Sequence, residues 1–112
     1  MDQLVKKEWV KALRSGDFKQ GRGALLKNEK YCCLGVLCEI AEDVGFDLEK
    51  RPNTRFPNLI NFGEDNAFLP PIVALWSELD SCNPSVNEIF LSRHNDAGDS
   101  FKEIADLIEK YL

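Results

Sequence analysis

Apolar residues recur at helical spacing in some stretches of the chain and lose that rhythm in others, and the contrast lays out its elements. Val5, Trp9 and Ala12, with Leu13 beside them, follow helical spacing while Lys6, Lys7, Lys11 and Arg14 take the other side, which predicts an amphipathic helix from about Asp2. Gly16 stands where a helix C-terminal glycine belongs. The next residues, Asp17 to Gly23, read as loop, because glycines at 21 and 23 oppose both helix and strand. Ala24-Leu25-Leu26 and Lys30-Tyr31-Cys32 flank the polar turn Lys27-Asn28-Glu29 and predict a short β-hairpin. A second helix starts near Cys32 or Cys33 and ends at Gly45. Its Leu34, Val36, Leu37, Cys38, Ile40, Ala41 and Val44 leave almost no polar face, so it is expected to be the central and most buried helix. Gly35 in its interior costs about 1 kcal/mol relative to alanine. A glycine in that position marks a place where another backbone comes close.

Beyond Gly45 the rhythm weakens. Arg51-Pro52-Asn53-Thr54, Phe56-Pro57-Asn58 and Phe62-Gly63-Glu64-Asp65 are turn clusters, so residues 46–67 read as a long loop or variable insertion, with one short strand at Leu59–Phe62. Leu69-Pro70-Pro71 opens a third helix with Pro71 in its first turn, carrying Ile72, Val73, Leu75, Trp76 and Leu79 and stopping by Ser81-Cys82-Asn83-Pro84. The stretch Val86–His94 suits strand or helix, and the spacing of Val86, Ile89, Phe90 and Arg93 favours a short helix. Asn95-Asp96-Ala97-Gly98 is a turn by composition. Ser100 and Glu103 form a capping box ahead of a last helix whose apolar stripe is Phe101, Ile104, Ala105, Ile108 and Leu112. No internal repeat stands out. The elements sum to a single α+β domain over residues 1–112, three to four helices packed round the Cys-rich helix with a small hairpin or sheet.

Composition narrows the class without naming a reaction. A chain of 112 residues with 44% hydrophobic and 29% charged residues has the make-up of an ordinary globular domain with one modest core. Its apolar runs are too short to span a membrane, and Met1-Asp2-Gln3 leads into a charged segment unlike a secretory signal, so the expected location is the cytoplasm. Net charge is 14 − 19 = −5, unevenly spread: residues 1–31 hold eight Lys/Arg against four Asp/Glu, residues 32–112 six against fifteen. The basic third suits a phosphate or an acidic partner, although a solvated helix face is the simpler reading, and the remainder repels nucleic acid. Four cysteines in such a chain are expected to be reduced, and the adjacent Cys32 and Cys33 point apart. Their spacing, with Cys82 and His94, matches none of the common zinc patterns, so neither metal nor cofactor is expected.

Four groups of residues carry chemistry worth weighing. Cys32 or Cys33 at a helix N-terminus feels the positive end of the dipole, and with His94 and Asn95 or Asp96 would complete a Cys/His/Asn set for a thiol-dependent hydrolase or transferase. Against that, an apolar run raises a thiol's pKa, and cysteines are common core fillers. Gln20-Gly21-Arg22-Gly23 offers backbone N–H groups and a cation to an anion, or simply permits a tight turn. Arg93-His94-Asn95-Asp96 places four polar side chains between an apolar segment and a capped helix, where Asn and Asp bond local backbone or meet a ligand. Leu91 to Leu112 reads helix, turn, helix, yet the exposed Lys102, Glu103, Asp106, Glu109 and Lys110 make the last helix acidic, which disfavours DNA.

Several of these segments line up with a known pattern. Ala12-Leu13-x-Ser15-Gly16-x-Phe18-x-Gln20-Gly21-x-Gly23-x-Leu25 and Tyr31-Cys32-Cys33-Leu34-Gly35-Val36-Leu37-Cys38 come first. Leu69-Pro70-Pro71, Asn95-Asp96-x-Gly98-x-Ser100-Phe101 and Glu103-Ile104-Ala105-Asp106-x-Ile108-Glu109 follow. Together they resemble a family of small phage, prophage and bacterial proteins of unknown function, over nearly the whole chain except about 46–67. The resemblance implies a mobile-element origin, hence a host cell's cytoplasm, and a site near the Gln-Gly-x-Gly loop, the Cys-rich helix start and the Asn-Asp turn. His94 falls where that family often has an apolar residue, which weakens its claim as a catalytic base. The expected function is therefore non-catalytic binding of a host protein or small ligand by a small accessory protein, modulating host physiology or defence. Gln20, Gly21, Arg22, Gly23, Arg93, Asn95 and Asp96 form the expected contact surface.

Overall fold

The Cys-rich run forms the axis of the molecule. In a computed structural model describing residues 1–112, it is helix α2 (Cys33–Asp43), buried throughout from Cys33 to Cys38 as its apolar sequence requires. The chain order is helix α1 (Gln3–Ser15), hairpin β1 (Leu26–Lys27)/β2 (Lys30–Tyr31), α2, and hairpin β3 (Lys50–Pro52)/β4 (Ile60–Phe62). Helix α3 (Pro71–Ser77), hairpin β5 (Ser85–Val86)/β6 (Ile89–Phe90), helix α4 (Leu91–Asp96) and helix α5 (Phe101–Tyr111) follow. The architecture is α+β as expected, with five helices and three separate two-stranded antiparallel hairpins.

Helix α1 is capped by the Asp2 carboxylate, which accepts from the Val5 amide at 2.9 Å, and closed by Gly16 at φ +80°. It packs on α5 and α2. Trp9 is fully buried, and its indole N–H donates to the Cys33 carbonyl at 2.9 Å, so the polar edge of this large side chain is satisfied inside the core. Helix α5 begins with the expected capping box and turns Phe101, Ile104, Ala105 and Ile108 inward.

Gly35 meets the neighbour its position predicts. A Cβ there would overlap the Leu25 carbonyl oxygen and lie 2.7 Å from its carbonyl carbon. That oxygen also accepts from the Cys32 amide at 3.3 Å, so the residue before β1 is drawn across the first turn of α2.

Three expectations are corrected, besides the turn predicted at Asn95-Asp96-Ala97-Gly98, whose first two residues are the end of helix α4. Residues 86–94 are a hairpin running into a helix, β5/β6 then α4, where a single helix is predicted. The spacing of Val86, Ile89 and Phe90 suits either state, and the turn decides: Asn87 and Glu88 both adopt left-handed φ, 53° and 64°. Asn28 and Glu29 do the same at 52° and 63°, so one two-residue turn serves twice, each time directly ahead of a helix. Second, Arg51-Pro52 is strand. It pairs with β4 through Arg51↔Asn61 and Pro52↔Ile60, the proline sitting at a strand end in a sheet of two edges. Third, α3 ends at Ser77, where Glu78 turns left-handed at φ 57°, so Leu79 lies beyond it. Ile72 and Leu75, counted among the apolar residues of that helix, are exposed.

The shared turn supplies a stability test. A non-glycine residue in left-handed backbone costs about 1–2 kcal/mol, part of which glycine returns as unfolded-state entropy. The double substitution Glu29→Gly/Glu88→Gly is expected to stabilise the protein by about 1 kcal/mol, raising Tm by about 4 °C. Unchanged or lower Tm would mean that these glutamates are not held left-handed.

Candidate functional site

Residues 75 positions apart meet in one hydrogen-bonded lock. The Gln20 side-chain amide donates to Asn95 Oδ1 at 2.9 Å and to the Asp99 carbonyl at 2.8 Å, while its oxygen accepts from the Phe101 amide at 3.1 Å. Phe101 opens α5, so Gln20 satisfies one of the backbone N–H groups that a helix start leaves free. Asn95 is fully buried in the last turn of α4, and its Nδ2 donates to the Gly21 carbonyl at 2.7 Å and to Asp96 Oδ1 at 3.3 Å. Asp96 Oδ1 also accepts from the Gly23 amide at 2.9 Å. Asn95 thus uses three of the four hydrogen-bonding positions its side chain offers.

The loop reaches the lock by running beside β2. Tyr31 N donates to the Lys19 carbonyl at 2.8 Å, and Gly21 N to the Tyr31 carbonyl at 2.7 Å. A Cβ on Gly21 would come 2.7 Å from Lys30 Cβ, so this glycine is needed for closeness, whereas Gly23, at φ +78°, bends the chain away. Arg22 is exposed, and its guanidinium lies over Gly98, 3.5 Å from where a Cβ there would be.

Two clefts flank the lock. A small one of about 140 Å³ is lined by Gln20, Arg22, Asn95, Gly98 and Asp99. The larger, about 460 Å³, lies between Gly23-Ala24, the start of α2 at Cys32, Ala67-Phe68, Asn83 and the segment from Phe90 through Arg93 to Asp96. Phe68, Phe90, Arg93 and Asp96 are exposed there, so the cleft offers two aromatic faces and one charge of each sign. Of the residues predicted for a contact surface, Gln20, Gly21 and Asn95 are bound into the lock, Gly23 and Asp96 take part in it while remaining exposed, and Arg22 and Arg93 present surface to solvent.

The thiols are placed differently from one another. Cys32 lines the larger cleft, yet it is buried, and that burial pushes its thiol from the ordinary 9.0 up to about 11 despite the helical amides of Leu34 and Gly35 close by. Cys33 is wholly enclosed, donates to the Leu91 carbonyl with its sulfur at 3.6 Å, and is pushed well above the ordinary range by burial. His94 is not among the residues lining the cleft with Cys32. Its Nδ1 lies 2.9 Å from Asp99 Oδ2, and its buried Nε2 has no partner. Cys33 and His94 thus each have a partner other than one another, the Leu91 carbonyl and the Asp99 carboxylate.

Comparison with protein families matches the chain to a family described as a domain of unknown function, DUF8296, whose model covers residues 1–112. The chain belongs to this family. No curated protein and no solved structure matches it. In this family member, sequence reasoning missed Phe68, Phe90, Asn83 and Asp99. Phe90 entered the sequence reading only through its helical spacing, which does not say which way a hairpin residue faces, and Asp99 carries no signal beyond its place before Ser100.

Proposed function

We propose that the protein acts by non-catalytic binding, and that the cleft between α2 and α4 receives its ligand. The observation that carries this reading is the cleft's make-up: about 460 Å³, with Phe68 and Phe90 for apolar or planar groups and Arg93 and Asp96 for polar ones, held by a hydrogen-bonded lock. Such a volume and mixture suit a small ligand. Gln20, Gly21 and Asn95 are positioning residues in this reading, Gly23, Arg93 and Asp96 line the cleft, and Arg22 borders the smaller one beside the lock. The resemblance to small phage and prophage proteins supports an accessory role in a host cell's cytoplasm, with a host metabolite or host protein as the thing bound.

A fragment screen by protein-observed NMR tests the reading. Hits are expected to shift the amides of Gly23, Ala67 and Arg93, and to lose binding in Phe68→Ala/Arg93→Ala. Hits that gather elsewhere, or that survive the double substitution, would sink the site assignment.

The rival thiol chemistry makes its own prediction. With Cys32 raised to about 11 and Cys33 and Cys38 also raised by burial, the folded protein is expected to label first at the half-buried Cys82 with a maleimide at neutral pH. Rapid modification of Cys32 would restore the enzyme reading. The same burial has a pH signature. A thiol whose folded pKa lies above its unfolded value stabilises the fold below the unfolded pKa, and that contribution is lost as pH rises through the folded one. Stability is therefore expected to hold to about pH 8 and decline above pH 9, continuing through pH 11.

A further inference from the structure

Away from the cleft, one face of α1 carries three lysines that enter no ion pair. A groove of about 770 Å³ runs along this helix, lined by Lys6, Lys7, Val10, Lys11 and Arg14 on α1 and by Glu109 on α5. Arg14 is already occupied: it forms a forked pair with Glu109, at 3.0 and 3.2 Å, and reaches Asp106 at 2.7 Å. Those partners hold the guanidinium's pKa above its ordinary value and the Glu109 carboxyl below its own. Lys6, Lys7 and Lys11 make no ion pair, not even with Glu8, the sole acidic residue of α1.

We propose that this groove docks an acidic amphipathic helix of a partner protein. Three observations select that occupant. The first is charge complementarity in register: Lys7 and Lys11 stand about 6 Å apart along the axis, the separation of two carboxylates at i and i+4 on a facing helix. The second is length. The unpaired cations span only about 7.5 Å of axis, and Asp106 and Glu109 lie at the Arg14 end, so a phosphate backbone finds no continuing basic track. The third is apolar surface beside the cations. Leu4, one turn before Lys7 on the same stripe, is 77% exposed. A phosphate has no use for this leucine, whereas an amphipathic helix laid in a groove presents apolar and acidic positions together. This surface is independent of the cleft and of any ligand there.

The probe is a synthetic helical peptide with glutamates at i, i+4 spacing and leucines on the adjoining stripe, followed by fluorescence anisotropy. It is expected to bind saturably, to weaken as salt is raised, and to lose about tenfold in affinity against Lys7→Glu/Lys11→Glu and about threefold against Leu4→Ser. Because these side chains are solvent-exposed and make no ion pair, both variants are expected to keep the wild-type Tm, which separates lost docking from lost folding. The proposal is overturned by absence of saturable binding, by equal affinity of the glutamine-for-glutamate peptide, or by undiminished binding to the charge-reversed variant. Tighter binding of oligothymidylate or tripolyphosphate than of the peptide overturns it as well, and would make this an anion or nucleic-acid surface.

Discussion

Gly35→Ala is expected to destabilise the protein by about 3 kcal/mol, against an intrinsic helix preference that favours alanine by about 1 kcal/mol. The sign is decided by what the new methyl meets. It would overlap a backbone carbonyl, that of Leu25, and a carbonyl has no rotamer by which to withdraw. The same oxygen accepts from Cys32 at the helix start, so retreat of Leu25 also strips a hydrogen bond from the N-cap residue of α2. For a chain of this length the loss corresponds to a Tm lower by about 12 °C. The reciprocal substitution Ala41→Gly in the same helix provides the scale, since it costs propensity and a small buried methyl without any collision; about 1–2 kcal/mol is expected. Urea unfolding of both variants measures the comparison. A Gly35→Ala protein as stable as wild type would mean that α2 and the β1 segment are not in close backbone contact.

Asn95→Ala carries the second large effect, about 3 kcal/mol, because it removes a fully buried side chain and leaves the half-buried Gly21 carbonyl and a Gln20 amide proton without their partner. The isosteric Asn95→Asp is the sharper variant. It preserves shape and turns the donor toward Gly21 into a carboxylate oxygen facing that carbonyl and the Asp96 carboxylate. Such a group has its folded pKa raised, so its neutral form is favoured by folding, and its penalty grows as pH climbs above the unfolded carboxyl value of about 4. The variant should approach wild-type stability near pH 3 and fall furthest behind near pH 7. A gap that stays constant with pH would place residue 95 away from carbonyl and carboxylate neighbours. Arg22→Ala, in the same loop but exposed, is expected to stay within about 0.5 kcal/mol of wild type.

What could be read from the sequence follows from how local its cause is. Helix α1, with Asp2 before it and Gly16 after it, and the Ser100/Glu103 box are written in neighbouring residues, and both were legible. So was the meaning of Gly35 as a close approach, although nothing in the sequence says that the approaching group is Leu25. The β5/β6 hairpin was misread because glutamate is not a turn residue by composition. The clue available was its twin: Asn-Glu also stands at the tip of the hairpin at 28–29 that had been recognised by its flanks. In the candidate site, the polar residue types of both loops were legible individually. That Gln20 and Asn95 face each other was not, since neither periodicity nor composition couples positions so far apart.

That coupling bears on when the site comes into being. Closing a chain segment of 75 residues costs more entropy than closing any of the hairpins, and contacts of such separation are expected to form late in folding. On a ribosome, the loop at Gln20 emerges long before Asn95 and Phe101 exist, and until they do, the backbone of Gly21 and Gly23 has no anchor on that side. A chain cut before Asn95 therefore lacks the groups that hold this side of the cleft, and ligand binding reports on chains that extend past Phe101.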